Sequence, residues 1–368
     1  MEVLVKDISK ILENFAPIEY AEDYDNIGLI IGSYNQKVTK ILITLDITEK
    51  VIEESIYKKC NLIISFHPIF LKNSIKKLNG STYLERLVIS ALKNDISIYV
   101  IHTNLDVIWQ GTNSYISQIL KLNRMKVLIP KIGTMKKLTT YVPVSFAKKV
   151  RNSLFDAGAG KISNYSRCSY NFDGLGSFMG NEKTKPVVGK KGKFHLEKET
   201  CINVLFPFHK LNRIKKALFK NHPYEEVPYE IYNIENINPY LGIGIIGYIE
   251  KKINESDFLF YLKKTFNLSC IKHSPFIGKK INKITMIAGA GSFGIEYALK
   301  EEAHVFISSD LKYHDFFKNE NKILIVDIGH YESEQFNKNL LKDFLNKKFI
   351  HIPVYESKIL TNPVQYFY

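Results

Sequence analysis

The chain has 368 residues, 45% hydrophobic and 24% charged, an ordinary globular composition with room for two or three domains. No apolar run approaches the ~18 residues of a membrane helix, so a soluble cytoplasmic protein without a membrane partner is expected. The formal charge is +14, yet only five of 51 basic residues are arginines. Nucleic-acid readers lean on arginine forks; scattered lysines argue against that partner and favour small anionic ligands.

In chain order, Ile8, Ile11, Leu12 and Phe15 fall on one helical face, predicting an amphipathic core helix rather than a signal peptide. Segment 38–68 reads strand, turn, helix, strand, and a further apolar strand follows at 96–101. Segment 281–311 repeats this unit at a constant offset of 243, again followed by an apolar strand, 323–328. Lys40 then meets Lys283, Ser65 meets Ser308 and His67 meets Asp310. Continuous apolar strands alternating with helices predict an α/β fold of two duplicated halves, 1–130 and 239–368, with mainly parallel sheets. A second duplication lies between them, 140–158 over 204–222, with Pro143 on Pro207 and Val150/Ile214, Leu154/Leu218 and Phe155/Phe219 on one helical stripe. Two strand–helix copies of this kind predict an inserted ferredoxin-like α+β domain over 138–232. Cys60, Cys168, Cys201 and Cys270 lie far apart without a C-x-x-C pair, predicting reduced, buried thiols.

In open parallel sheets, ligands bind beyond the carboxyl ends of the strands. His67, His102 and His330 fall there, and His102–Asp106 and His330–Glu334 share the pattern H-x-x-x-[DE]. In a helical turn, residues i and i+4 share one face and can share a cation. Imidazole with carboxylate suits Zn, Fe, Mn or Co; the alternative is that these histidines only cap strands. Gly289-Ala-Gly291-Ser-Phe-Gly294 is a G-x-G-x-x-G run with Asp310 downstream, a dinucleotide pattern. The duplicate turn, Asp46-Ile-Thr48, lacks the glycines, which favours a tight turn near a pocket. There is no P-loop and no G-x-S-x-G elbow. His314 is a second acid–base candidate beside His102, and His222 reads as a helix exit.

These residues resemble the NIF-three-like family, whose members carry the name GTP cyclohydrolase 1 type 2 homologue. The similarity rests on Asp25-Asn-Ile-Gly, Leu45-Asp-Ile-Thr48, Ser65-Phe-His-Pro68, His102-Thr-Asn-Leu-Asp106, Ser309-Asp-Leu-Lys-Tyr-His-Asp315, Gly329-His-Tyr-Glu-Ser-Glu334 and Thr361-Asn-Pro-Val364. It covers essentially the whole chain, including the insert of the longer bacterial members. The resemblance implies a dinuclear metal site between the halves, a PII-like or CutA-like insert and a toroidal homohexamer. The implied metal ligands are His67, Asp106, His330 and Glu334, with His102 a further ligand or a neighbour. The family commonly places two histidines before the proline, and here the first is Phe66, so one ion is expected to bind firmly and the second is in doubt. The expected function is a divalent-metal-dependent hydrolase acting on GTP or another nucleotide-like anion. The ion would lower the pKa of its water from about 15.7 toward about 7, with His102 or His314 moving protons. The alternative is a non-catalytic metal-binding or regulatory oligomer.

Overall fold

The computed structural model describes residues 2–70, 74 and 76–367. They divide into two units, Met1–Pro130 with Pro239–Tyr368, and Lys131–Asn238. The chain enters the first unit through α1 (Val5–Phe15), β1 (Gly28–Ile31), β2 (Ile41–Thr44), α2 (Glu49–Lys58), β3 (Leu62–Ser65), α3 (Tyr83–Lys93), β4 (Ser97–Val100), α4 (Thr103–Val107), α5 (Thr112–Ile119) and β5 (Asn123–Pro130). The second unit is β6 (Met135–Pro143), α6 (Val144–Asp156), β7 (Tyr170–Met179), β8 (Phe194–Pro207), α7 (Leu211–Asn221) and β9 (Tyr229–Asn233). The return path carries β10 (Gly242–Ile253), α8 (Glu255–Phe266), β11 (Lys272–His273), β12 (Ile281–Ala290), α9 (Ile295–Lys300), β13 (Val305–Ser309), β14 (Leu324–Asp327), α10 (His330–Glu334), α11 (Asn337–Lys348) and β15 (Val354–Glu356).

Two sheets build the first unit. One runs β1-β4-β3-β2-β15, parallel from β4 to β15, with β1 antiparallel at its edge. The other runs β11-β14-β13-β12-β10-β5, where β14, β13 and β12 are parallel and the remaining pairs antiparallel. Every residue of β2, β3, β4, β13 and β14 is buried, as expected for parallel strands covered on both faces. The sheets are not assembled half by half. β15 comes from the end of the chain to complete the first sheet, and β5 crosses to the edge of the second. Helix α2 starts where Thr48 Oγ1 accepts the Val51 N–H at 3.3 Å and stops at Lys59 in the left-handed region.

The second unit has the element order β-α-β-β-α-β and an antiparallel sheet, β7-β8-β6-β9. Pro143 and Pro207 each end a strand, and the helices that follow bury Val150 with Leu154 and Ile214 with Leu218. Phe219 departs from the expected stripe: it is 47% exposed, its ring edge-on to Tyr229 at 5.3 Å. A cavity of about 680 Å³ lies in this unit against Tyr141, Phe172, Phe178, Met179, Val187 and Tyr224. None of the candidate metal ligands lines it. His222 packs structurally, one ring nitrogen 3.0 Å from the Tyr141 carbonyl. All four cysteines are free thiols; Cys60 and Cys201 are buried, whereas Cys168 and Cys270 are partly exposed. Among the described residues no helix is long and apolar enough to cross a membrane.

Candidate metal centre

The parallel strands of the first unit deliver their chemistry at their carboxyl ends. Asp46 follows β2, His67 follows β3 and His102 follows β4; Asp310 follows β13, and His330 opens α10 after β14. The ladder continues past β3, where Phe66 N–H donates to the Thr44 carbonyl and His67 N–H to that of Leu45, at 3.1 and 2.8 Å. That extension sets His67 beside Asp46. Ser65 Oγ donates to the Leu45 carbonyl at 3.1 Å, and Ser308 Oγ donates to that of Gly289 at 3.0 Å. The matched serines of the duplication thus tie neighbouring strand ends in both halves.

Three groups converge. His67, His330 and Glu334 each offer a ligand atom, all within 4.8 Å of one another. Nδ1 of His67 is 2.7 Å from Asp46 Oδ1, and Nδ1 of His330 is 2.7 Å from Asp310 Oδ2. These carboxylates fix the Nδ1–H tautomer and leave each Nε2 free. Both Nε2 atoms face Glu334 Oε2, at 2.9 and 3.1 Å. Glu334 is buried, and neither ring aims an N–H at Oε2 with hydrogen-bond geometry, so that oxygen lacks a hydrogen-bond partner. A buried carboxylate oxygen left this way is costly. A cation among the three atoms removes the cost, and a His₂Glu set with open positions matches zinc-type centres. His67, His330 and Glu334 are positioned to bind a metal ion.

Electrostatics point the same way. Burial opposes the charged His67 ring, but the Asp46 and Glu334 carboxylates outweigh it and push its pKa up to about 10. Glu334 pushes His330 up to about 9 against burial, with help from Asp310. Burial would raise Glu334, yet the two imidazoles bring it down to about 2. In the metal-free chain protons therefore hold the place of a cation.

Two nearby residues stand outside this cluster. His102 turns Nδ1 to Asp25 Oδ2 at 2.9 Å, and Asp25 also accepts from Thr103 Oγ1 at 2.6 Å. Its ring lies edge-on to His67, centroids 5.2 Å apart. Asp106 accepts from Thr112 Oγ1 at 2.6 Å. Its pKa rises to about 7, chiefly through burial and then through the charge of Glu334, against the pull of the His102 and His67 rings and the Thr112 hydrogen bond. Among the described residues the converging ligand atoms do not take in the 102–106 pair: His102 caps α4 from outside the helix and sets its Nδ1 on Asp25. Among the described residues no contact joins His314 to the cluster; it is exposed, with ring contacts to Tyr313 and Phe317. Phe66 is fully buried in the core, its ring 5.1 Å from His67 and 5.2 Å from His102.

The glycine run has packing reasons at each glycine. A Cβ on Gly289 (φ +69°) would collide with Glu334 Oε1, one on Gly291 with Ser308 and Ile287, and one on Gly294 with Ile287 and Phe306. Asp310, the residue that would face a ribose in a dinucleotide site, is engaged by His330. The first glycine admits the close approach of β12 to Glu334, and the other two admit core packing. Sequence reasoning had not assigned Asp25, Asp46 and Asp310 their role as Nδ1 partners.

Residues 3–363 match the family model Duf34/NIF3 (NGG1p interacting factor 3). The chain is 32% identical over 365 residues to the GTP cyclohydrolase 1 type 2 homolog of Bacillus subtilis (strain 168), covering 97% of each chain. Its fold is similar to the crystal structure of a Bacillus cereus protein related to NIF3, with a TM-score of 0.84, 31% identity and full coverage of both chains. It is also similar to Staphylococcus aureus protein SA1388, with a TM-score of 0.78, 26% identity and coverage of 100% and 99%. The chain belongs to the Duf34/NIF3 family.

Proposed function

We propose that the chain is a divalent-metal-dependent hydrolase acting on GTP or another small nucleotide-like anion. The observation that carries this is the buried Glu334 oxygen facing two free imidazole nitrogens. When bound, an ion of the Zn, Fe, Mn or Co class supplies Lewis acidity for activating water. His67, His330 and Glu334 hold it, oriented from behind by Asp46 and Asp310. Asp106 is the candidate further ligand, a buried carboxylate within the electrostatic reach of Glu334, His102 and His67. His102 is the candidate acid–base group: Asp25 fixes its Nδ1, and its Nε2 is the nitrogen left to carry a proton. His314 has no comparable support.

We also assign the second unit a ferredoxin-like fold, on its strand order. The family resemblance supports a homohexamer in the cytoplasm, which light scattering on tag-free protein tests. Elemental analysis of that protein, joined to a hydrolysis screen over nucleotides and phosphoesters, tests the activity. Turnover lost to a chelator and restored by metal supports the hydrolase. Stoichiometric metal without turnover supports the alternative, a metal-binding or regulatory oligomer.

A further inference from the structure

The chain after β15 has no regular secondary structure, yet it is anchored at successive points. Lys358 N–H donates to Glu54 Oε1 on α2 at 3.1 Å. Thr361 Oγ1 then donates to Asp46 Oδ2 at 2.6 Å. Asn362 Nδ2 donates to Glu332 Oε1 at 2.9 Å, while its Oδ1 accepts the Val364 N–H at 3.0 Å, which fixes the orientation of the amide. Further on, the Tyr366 hydroxyl lies against Gly329, the residue before α10.

These contacts fall on the two sources of the metal-binding set. Asp46 divides its oxygens between His67 Nδ1 and Thr361, so Thr361 is two hydrogen bonds behind the His67 ring, through Asp46. Glu332 stands on α10, the five-residue helix that supplies His330 and Glu334. One dipeptide therefore grips the group behind the first-half ligand and the helix bearing the second-half ligands.

We propose that Thr361–Asn362 is a clasp that sets the spacing of His67 against His330 and Glu334, and so the affinity of the centre for its ion. This rests on the metal-binding assignment above. Thr361 acts as a positioning residue: with its hydroxyl removed, Asp46 is free to rotate and the His67 ring loses its fixed direction. Partners hydrogen-bonded directly to a ligand, as Asp46 is, typically change affinity by about 10- to 100-fold, and Thr361, one residue further out, is expected at the lower end of that range.

The test is the zinc affinity of the full chain, measured by competition with a chromophoric chelator, for wild type, Thr361→Val, Thr361→Ser and Asn362→Ala. Thermal unfolding of each metal-free protein is measured alongside. Thr361→Val keeps the shape of the side chain and is expected to weaken zinc about tenfold, with little change in metal-free unfolding. Thr361→Ser restores the hydroxyl and should stay near wild type. Asn362→Ala, which releases α10, should weaken zinc without touching Asp46. Wild-type protein that binds no zinc refutes the metal assignment itself. Wild-type binding that Thr361→Val leaves within about threefold overturns the clasp. So does a loss shared by Thr361→Ser, or one matched by an equal loss of metal-free stability.

Discussion

His102–Asp106 and His330–Glu334 share a sequence pattern but not a geometry. β4 ends at Val100 and β14 at Asp327, so His102 lies two residues past its strand and His330 three. The extra residue is Gly329, at φ +88°. It makes His330 the first residue of α10, whereas His102 stays outside α4 as its cap. The i, i+4 relation brings Nε2 of His330 to Glu334 at 3.1 Å, while His102 turns to Asp25. What recurs in space is a different couple. Asp46 with His67, and Asp310 with His330, each join the ends of adjacent parallel strands, 21 and 20 residues apart in sequence. The two couples do not hold equivalent places in the repeat, since His67 aligns with Asp310, and a one-residue difference starts α10 at His330 while leaving His102 outside α4.

The widest separation between the two pairs should come from their carboxylates. Glu334→Ala removes the oxygen that both histidines face and should weaken metal about a thousandfold, or ~4 kcal/mol, leaving protein essentially metal-free after dialysis. Asp106→Asn should leave one ion firmly bound. Elemental analysis of both variants checks this, and equal losses would erase the distinction between the pairs.

Acidity separates metal-free from loaded protein. His67 at about 10 and His330 at about 9 carry protons at neutral pH that an ion must displace. Apparent affinity should therefore rise up to about 100-fold per pH unit between about pH 7 and 9. Both values lie above the ordinary imidazole value of 6.5, so the charged rings stabilise metal-free protein fully below about pH 6.5. That contribution is lost as pH rises through about 9 to 10, and melting curves of loaded protein should not show the loss.

Gly289→Ala should act on the second-half pair alone. The added Cβ meets Glu334 Oε1, and φ +69° disfavours any side chain. We expect about 1 kcal/mol of destabilisation and a roughly tenfold weaker ion, read by thermal melting and chelator competition. Gly291→Ala, which meets Ser308 and Ile287 instead, should cost stability with a smaller effect on metal.

Much of this was legible in the chain. Unbroken apolar strands marked the parallel sheets, and histidines just past them marked the site. The coupling of Asp46 to His67 depends on β2 and β3 being neighbours, which strand order decides rather than spacing. A signal was present nonetheless: an acid just past one apolar strand and a histidine just past the next, at the first and second strands of one copy of the repeat and the second and third of the other. The H-x-x-x-[DE] match drew attention away from it because that pattern assumes the histidine is already helical. The exchange of β5 and β15 between the sheets had no local signal, since edge pairing is settled by which edge each strand reaches. The glycine run resembled a nucleotide turn because close backbone approach needs glycine whether the neighbour is a phosphate or a carboxylate.

The smallest expected change, and the most specific, concerns Phe66. Its phenyl ring packs against both the His67 and His102 rings and contributes to the core, but it offers no lone pair. Asp106 has Glu334, His102 and His67 as electrostatic neighbours, and Phe66 adds no third imidazole to them. Phe66→His places an imidazole beside the His67 and His102 rings. Without metal it buries a polar ring among apolar side chains, at a cost of ~1–3 kcal/mol, so the metal-free variant should melt earlier than wild type. With metal the cost is offset, and content should move from one ion toward two per chain. The two readouts decide together. Lower stability that metal does not recover, with stoichiometry unchanged, would make Phe66 a packing residue only. Two firmly held ions in wild-type protein would mean that the 102–106 side coordinates despite its register.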